Sequence, residues 1–378
     1  MTNRSRTFRM ERLEERQMMA GDINAYISNV GYGIDTLYIE EAADQAGRDN
    51  SVFIKQLTDN TIRVIGTANA DGSLSLINGK QYQDFTITKD GSYLRPLRLD
   101  VYLGRGNDTV NVTEFNKVGG PFFLHDVSIN VRDTSGTVPD QDSVYMSYVD
   151  VHSYNNDHPA GRIQISTGAG NDLVSINQVS AVNPHYYEDA LGIGTGAGAD
   201  RVEVYNSTFS GNVGIGTGLA TENDVDDLKM VNVRVAGDSK LDVRLGGGND
   251  TFSFDRINMD YDWLLGRFNL DAGTGNDTGS IKNVTAHSVK ALLGDGSDTL
   301  ALDYVFAREM DLQGQGGTGD KLTKNHITVD KVFETGWETI NGLPALKDGL
   351  TTTPLTWTST APNWISTTPK VTSTLLLR

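Results

Sequence analysis

The chain has 378 residues, 32 Lys and Arg against 49 Asp and Glu, and a formal charge of −17; it holds 41 glycines, 9 prolines and no cysteine. So acidic a surface repels a phosphate backbone, which needs clustered cations, and this argues against nucleic acid and for cations as partners. Without cysteine there is no disulfide framework, thiolate nucleophile, zinc–cysteine site or iron–sulfur cluster.

No apolar run approaches the roughly 20 residues that span a bilayer as a helix. Residues 1–20 are basic, with Arg4, Arg6, Arg9, Arg12 and Arg16 leaving the rest of the chain more acidic still. Glu11, Glu14 and Glu15 fall where a conventional export signal needs its apolar stretch. Phe8 and the run Glu11-Arg12-Leu13-Glu14-Glu15-Arg16-Gln17-Met18-Met19-Ala20 resemble the short Leu-Glu-Pro-Arg/X-Leu-Leu-type element at the start of many planctomycete surface and exported proteins. Glu15 replaces its usual Pro and Met18-Met19 its Leu pair. The resemblance implies a disordered targeting segment and an extracellular or cell-surface location. The alternative is a short amphipathic start with no address.

Residues 21–95 read as short alternating strands, Thr36 to Glu40, Val52 to Leu57, Ile62 to Ile65 and Ser73 to Leu76, with turns such as Thr58-Asp59-Asn60. They form a small β cap or a first set of irregular coils.

Residues 96–342 carry a repeat. Six apolar anchors, Val101, Ile165, Ile193, Val243, Leu270 and Ala291, are each followed by Gly at the third and fifth positions and Asp at the seventh: Asp108, Asp172, Asp200, Asp250, Asp277 and Asp298. Asn107, Asn171, Asn249 and Asn276 stand just before four of these. Apolar residues alternate on both sides of the block, so it reads as strand, tight turn, strand. The glycines enter backbone angles costly for other residues, and Asn or Asp bonds nearby amides. Degraded copies at Pro139–Val144, at Val213–Gly218 followed by Asp224, Asp226 and Asp227, and at Gly314–Asp320 bring the turns to nine. That spacing predicts an all-β chain, a right-handed parallel β-helix of about nine coils with almost no α-helix. Residues 343–378 form a Thr/Ser/Pro-rich tail, with ten Thr, three Ser and three Pro from Thr351 onward, too poor in core-formers to pack alone.

The spacing Gly-x-Gly-x-Asp-x-apolar, clearest in Leu103–Asn111 and Leu245–Ser253, resembles the calcium-binding nonapeptide of hemolysin-type (RTX) proteins, here non-tandem. The resemblance implies Ca²⁺ held between turns by Asp108, Asp172, Asp200, Asp250, Asp277 and Asp298, with Asn107, Asn171, Asn249 and Asn276 beside them. Stacked turns lie roughly 4.8 Å apart. Bare carboxylates at that separation repel by about 1 kcal/mol in water and several times more when partly buried. A bound cation, neighbouring Arg or Lys such as Arg105, Arg201 and Arg244, or carboxylates turned inward to cap their own Gly-Gly turn through backbone amides would each relieve this.

The function this predicts is a structural or adhesive extracellular solenoid, not a catalyst, that meets cell-envelope components or extracellular polysaccharide and has no membrane-spanning segment. The alternative is a polysaccharide-binding or -degrading enzyme, a lyase or glycoside hydrolase. Its site would lie in the loops His152-Ser153-Tyr154-Asn155-Asn156-Asp157-His158 and His185-Tyr186-Tyr187-Glu188-Asp189, with a further aromatic patch at Tyr261-Asp262-Trp263.

Overall fold

The computed structural model describes residues 19–29, 33–43, 47–90, 93–115, 124–132, 140–152, 161–182, 188–259, 266–341 and 343–344. Among these there is no helix; the fold is all-β, parallel-rich and solenoid-like.

Pairing follows from the repeat. Strand Leu97–Tyr102 pairs in parallel with Leu124–Asn130, which pairs with Arg162–Ala169, and so on through Asp189–Ala197, Asn212–Gly216, Lys240–Arg244, Arg267–Asp271 and Ser288–Leu292 to the second half of Thr299–Gln313. The strands after each Gly-Asp turn form a second parallel row, from Ser51–Thr58 through Thr109–Phe115, Ser143–His152, Leu173–Val182 and Arg201–Tyr205 onward to Lys321–Asn325. Further along, the same strands, or the short ones that come after them, pair again as a third row, as in Val149 with Val179 and Ile257 with Val284.

Register places the predicted anchors in one buried column. Val101, Ile129, Ile165, Ile193, Ile215, Val243, Leu270, Ala291 and Leu312 are each opposite the next. All are at most 5% exposed. Period-2 alternation makes this possible, because every second side chain of each strand points to the same interior. The interior is a single apolar cluster from Ile23 to Trp337. Aromatics thicken it where Phe254 meets Phe268 edge to face at 4.8 Å. Each such side chain contributes roughly 1.5–3 kcal/mol by leaving water.

Before the repeat the pairing changes sense. Met19–Asn29 with Asp35–Glu41, Ser51–Thr58 with Thr61–Gly66, and Thr61–Gly66 with Tyr82–Thr86 are antiparallel. Asp35–Glu41 and Ser51–Thr58 then pair in parallel with the first repeat strands. The four strands expected here are present within a residue or two of their sequence boundaries. At the far end Leu343–Pro344 pairs antiparallel with Thr339–Ile340. The basic segment up to residue 18 and the tail from 345 lie outside the described residues.

Candidate functional site

The six Asp of the motif stand on one line, and the degraded copies complete it with Asp142, Asp226 and Asp320. Their carboxylates point inward: all nine are at most 2% exposed. Each is bonded to the rung before it. Asp108 Oδ1 accepts the Asn50 N–H at 2.8 Å, Asp142 Oδ1 the Asp108 N–H at 2.8 Å, and Asp172 Oδ1 the Asp142 N–H at 2.9 Å. Asp200, Asp226, Asp250, Asp277, Asp298 and Asp320 repeat the contact at 2.8 Å each. At the last rung Glu338 takes over, its Oε2 accepting the Asp320 N–H at 2.7 Å and the Gly319 N–H at 3.2 Å. An aspartate side chain is short enough to bridge one rung spacing and no more, so the residue type fits the task.

The turn glycines make room for this. In the turn before Asp277, Gly273 has φ +101°, and a Cβ there would run into the Gly246 carbonyl of the preceding rung. The predicted Asn residues form a second, exposed rail running the opposite way. Asn107 Oδ1 accepts the Gln141 N–H at 2.8 Å, Asn171 the Ala199 N–H at 2.9 Å, Asn249 the Asn276 N–H at 2.7 Å and Asn276 the Ser297 N–H at 2.8 Å. Asp carboxylates thus reach toward the N-terminal neighbour and Asn amides receive from the C-terminal one.

One oxygen of every rail carboxylate is left over. Oδ2 of Asp108, Asp142, Asp172, Asp200, Asp226, Asp250, Asp277, Asp298 and Asp320 is buried with no hydrogen-bond partner. Burial therefore dominates their acidity. It lifts Asp142 to about 9, Asp200 to about 8, Asp226, Asp277 and Asp298 to about 7, and Asp250 to about 6. Asp108 is pushed well up, and Asp172 and Asp320 upward, for the same reason. Nearby carboxylates add to this by repulsion, as Asp140 of the same turn and Asp172 of the next rung do at Asp142. Buried threonines sit close by: Thr167 donates to the Thr195 carbonyl at 3.3 Å, Thr195 to Thr217 at 2.9 Å and Thr217 to Leu245 at 3.2 Å.

Of the other expectations, Arg201 pairs with Glu203 at 2.9 Å and with Asp227 at 3.7 Å, not with its neighbour Asp200. Among the described residues no three His, Asp or Glu side chains group as metal ligands. Of the loop candidates, only His152, which ends its strand, and exposed Glu188 and Asp189 are described; Ser153 to His158, His185 to Tyr187 and Tyr261 to Trp263 lie outside.

Sequence reasoning missed a second corner. One non-glycine residue per rung takes the left-handed conformation there: Glu114, Tyr148, Gln178, Asn206, Asn232, Arg256, Asn283, Tyr304 and His326, with φ between 50° and 60°. Asn206 and Asn232 carry an amide signal for this conformation, and their side chains link rungs at 3.0 Å. Tyr148, Arg256 and Tyr304 carry none, and Tyr304 is covered instead by the stacked ring of His326 at 4.2 Å.

Set against family models, curated proteins and solved structures, the chain gives no match. The carboxylate rail and its register are therefore what a functional reading rests on.

Proposed function

We propose that the chain is a structural, non-catalytic solenoid: a right-handed parallel β-helix of about nine coils, covered at its N-terminal end by residues 21–95. We place it outside the cell, as an adhesive or spacing element that meets envelope components or extracellular polysaccharide. The observation that carries this is the continuous rail from Asn50 to Glu338. Carboxylates are the commonest raw material of acid–base and metal chemistry, and here one oxygen of each is committed to holding the turn before it. One staple repeated from Asn50 to Glu338 supports length and stiffness as what the chain supplies.

Rigid-rod behaviour is the test. Nine turns at roughly 4.8 Å stack to about 43 Å before the ends are added. Small-angle scattering of residues 19–344 should give a narrow, elongated particle of constant cross-section, and a globular scattering profile would overturn the reading.

A second reading keeps calcium at the stacked turns. The unpartnered Oδ2 column supports it, since an oxygen without a donor is what a hard cation takes. A regular rung supplies one such oxygen against the six to eight of calcium's shell, so an ion there must bridge rungs and draw on carbonyls and water. Melting with Ca²⁺ and with chelator decides it: an unmoved transition leaves protons, not ions, as the partners of the rail.

A further inference from the structure

Three turns depart from the regular spacing, those that end at Asp142, Asp226 and Asp320, and the turn ending at Asp226 gains the most residues among the turns described throughout. From anchor to rail carboxylate the regular turn takes seven residues, as from Ile193 to Asp200 or Val243 to Asp250, whereas Ile215 to Asp226 takes eleven. The four extra residues bring a second carboxylate to the rail. Glu222 accepts the Leu219 N–H, and its Oε2 is buried with no partner. Asp226, 1% exposed, accepts the Asp200 N–H at Oδ1 and leaves Oδ2 buried without a hydrogen bond of good geometry, while the Thr217 hydroxyl draws its pKa down against the effect of burial. The Leu245 carbonyl arrives from the next rung and receives the Thr217 hydroxyl at 3.2 Å.

Gly218 shows how closely these oxygens converge. A methyl built there would collide with Glu222 Oε1, the oxygen that accepts the Leu219 N–H, and with the Leu245 carbonyl, and would lie 3.0 Å from Asp226 Oδ2. The backbone of Gly218 is ordinary, without a positive φ, so its conformation does not demand glycine. What glycine supplies is space in front of three oxygens. Desolvation pushes the pKa of Glu222 up, backbone N–H groups of Leu219 and Gly198 draw it partly back, and the charges of Asp224 and Asp250 add to the rise, so the pocket gathers negative charge.

We propose that Glu222, Asp226 and the Leu245 carbonyl form a site for a single hard divalent cation, Ca²⁺ by its tolerance of irregular all-oxygen shells. Mg²⁺ demands a near-octahedral shell, which this asymmetric set does not offer. The outer half of the shell is water, admitted by the exposed loop that carries Leu219 and Val225. Two carboxylates and a carbonyl match the weak end of protein calcium sites, with Kd on the order of 10⁻⁴–10⁻³ M. The site needs no ion on any regular rung.

Calorimetric titration of the full chain with Ca²⁺ at neutral pH tests it. The wild type should take up one equivalent in that range. Glu222→Gln should lose that equivalent, or weaken it on the order of tenfold or more, and so should Asp226→Asn. Gly218→Ala should block the site by filling it. Asp277→Asn, on a regular rung, should bind as the wild type does. Glu222 is partly exposed, so Glu222→Gln should melt as the wild type does in chelator, which separates lost binding from lost fold. If ions also occupy the regular rungs, the wild type takes up several equivalents and Glu222→Gln one fewer. Equal uptake by wild type and Glu222→Gln, or no uptake by the wild type up to about 10 mM, overturns the proposal.

Discussion

Replacing Asp277 by Asn separates the staple from its charge. Asn keeps an Oδ1 able to accept the Asp250 N–H, which Asp277 holds at 2.8 Å, and removes the titrating proton. In the folded chain burial holds Asp277 at about 7, against 3.8 ordinarily. A group raised in this way keeps its proton when folded after the unfolded chain has released it. Its stabilising effect is complete below about pH 4 and drains away as pH rises to the folded value. Each pH unit in that window costs about 1.4 kcal/mol, so this one carboxyl accounts for roughly 4 kcal/mol between pH 4 and pH 7. Denaturant unfolding measured in chelator from pH 4 to pH 8 should show wild-type stability falling with pH. The Asp277→Asn curve should fall less steeply, by about 1.4 kcal/mol per unit between pH 5 and pH 7. Parallel curves, or wild-type stability that rises with pH, would refute the claim that this buried carboxyl is held in its acid form.

Other substitutions probe the remaining layers. Asp277→Ala removes the acceptor as well, leaving the Asp250 N–H buried and unpaired; at pH 5 it should cost about 1–3 kcal/mol beyond Asp277→Asn by the same unfolding assay. Gly273→Ala meets both a φ of +101° and the Gly246 carbonyl. It should destabilise by upwards of about 2 kcal/mol, or fail to give soluble protein. Gly194→Ala, in the strand Asp189–Ala197 with nothing within 4 Å of the new methyl, should leave the melting temperature unchanged or raise it, by about 0.5–1 kcal/mol of stability. Phe254→Ala empties a position buried against Phe268 and should cost about 3–5 kcal/mol.

The rail was legible in the sequence because its two requirements leave marks: glycine where a neighbouring carbonyl sits against the Cα, and Asp where one short acceptor must span one rung. The imperfect turns at 139–144, 213–227 and 314–320 were visible too, but spacing left Asp140 or Asp142, and Asp224, Asp226 or Asp227, open as the rail residue, because their anchors stand farther away than seven residues. What the carboxylates bond to could not be read, because the partner is a backbone N–H from another turn and every residue but proline has one. The closing role of Glu338 was hidden for a different reason: a longer side chain does the work of Asp where there is no further turn to stack on. The left-handed corner left almost no trace, since Glu114, Tyr148, Arg256 and Tyr304 are residue types with no preference for the conformation they adopt there. Glu222 escaped notice because an insertion breaks the spacing that made its neighbours visible.

The direction of the carboxylate contacts gives the molecule an order of assembly. Each newly arriving winding carries its own latch and closes it on the one already in place, never on the one still to come. In a chain that emerges amino end first, from a ribosome or through a translocation pore, the rail N–H of each turn is therefore secured as soon as the next turn is delivered, and the Asp320 amide waits for Glu338 to shut the series. Growth by accretion from a seeded end suits a protein made of near-identical layers, where pairing out of sequence would otherwise compete.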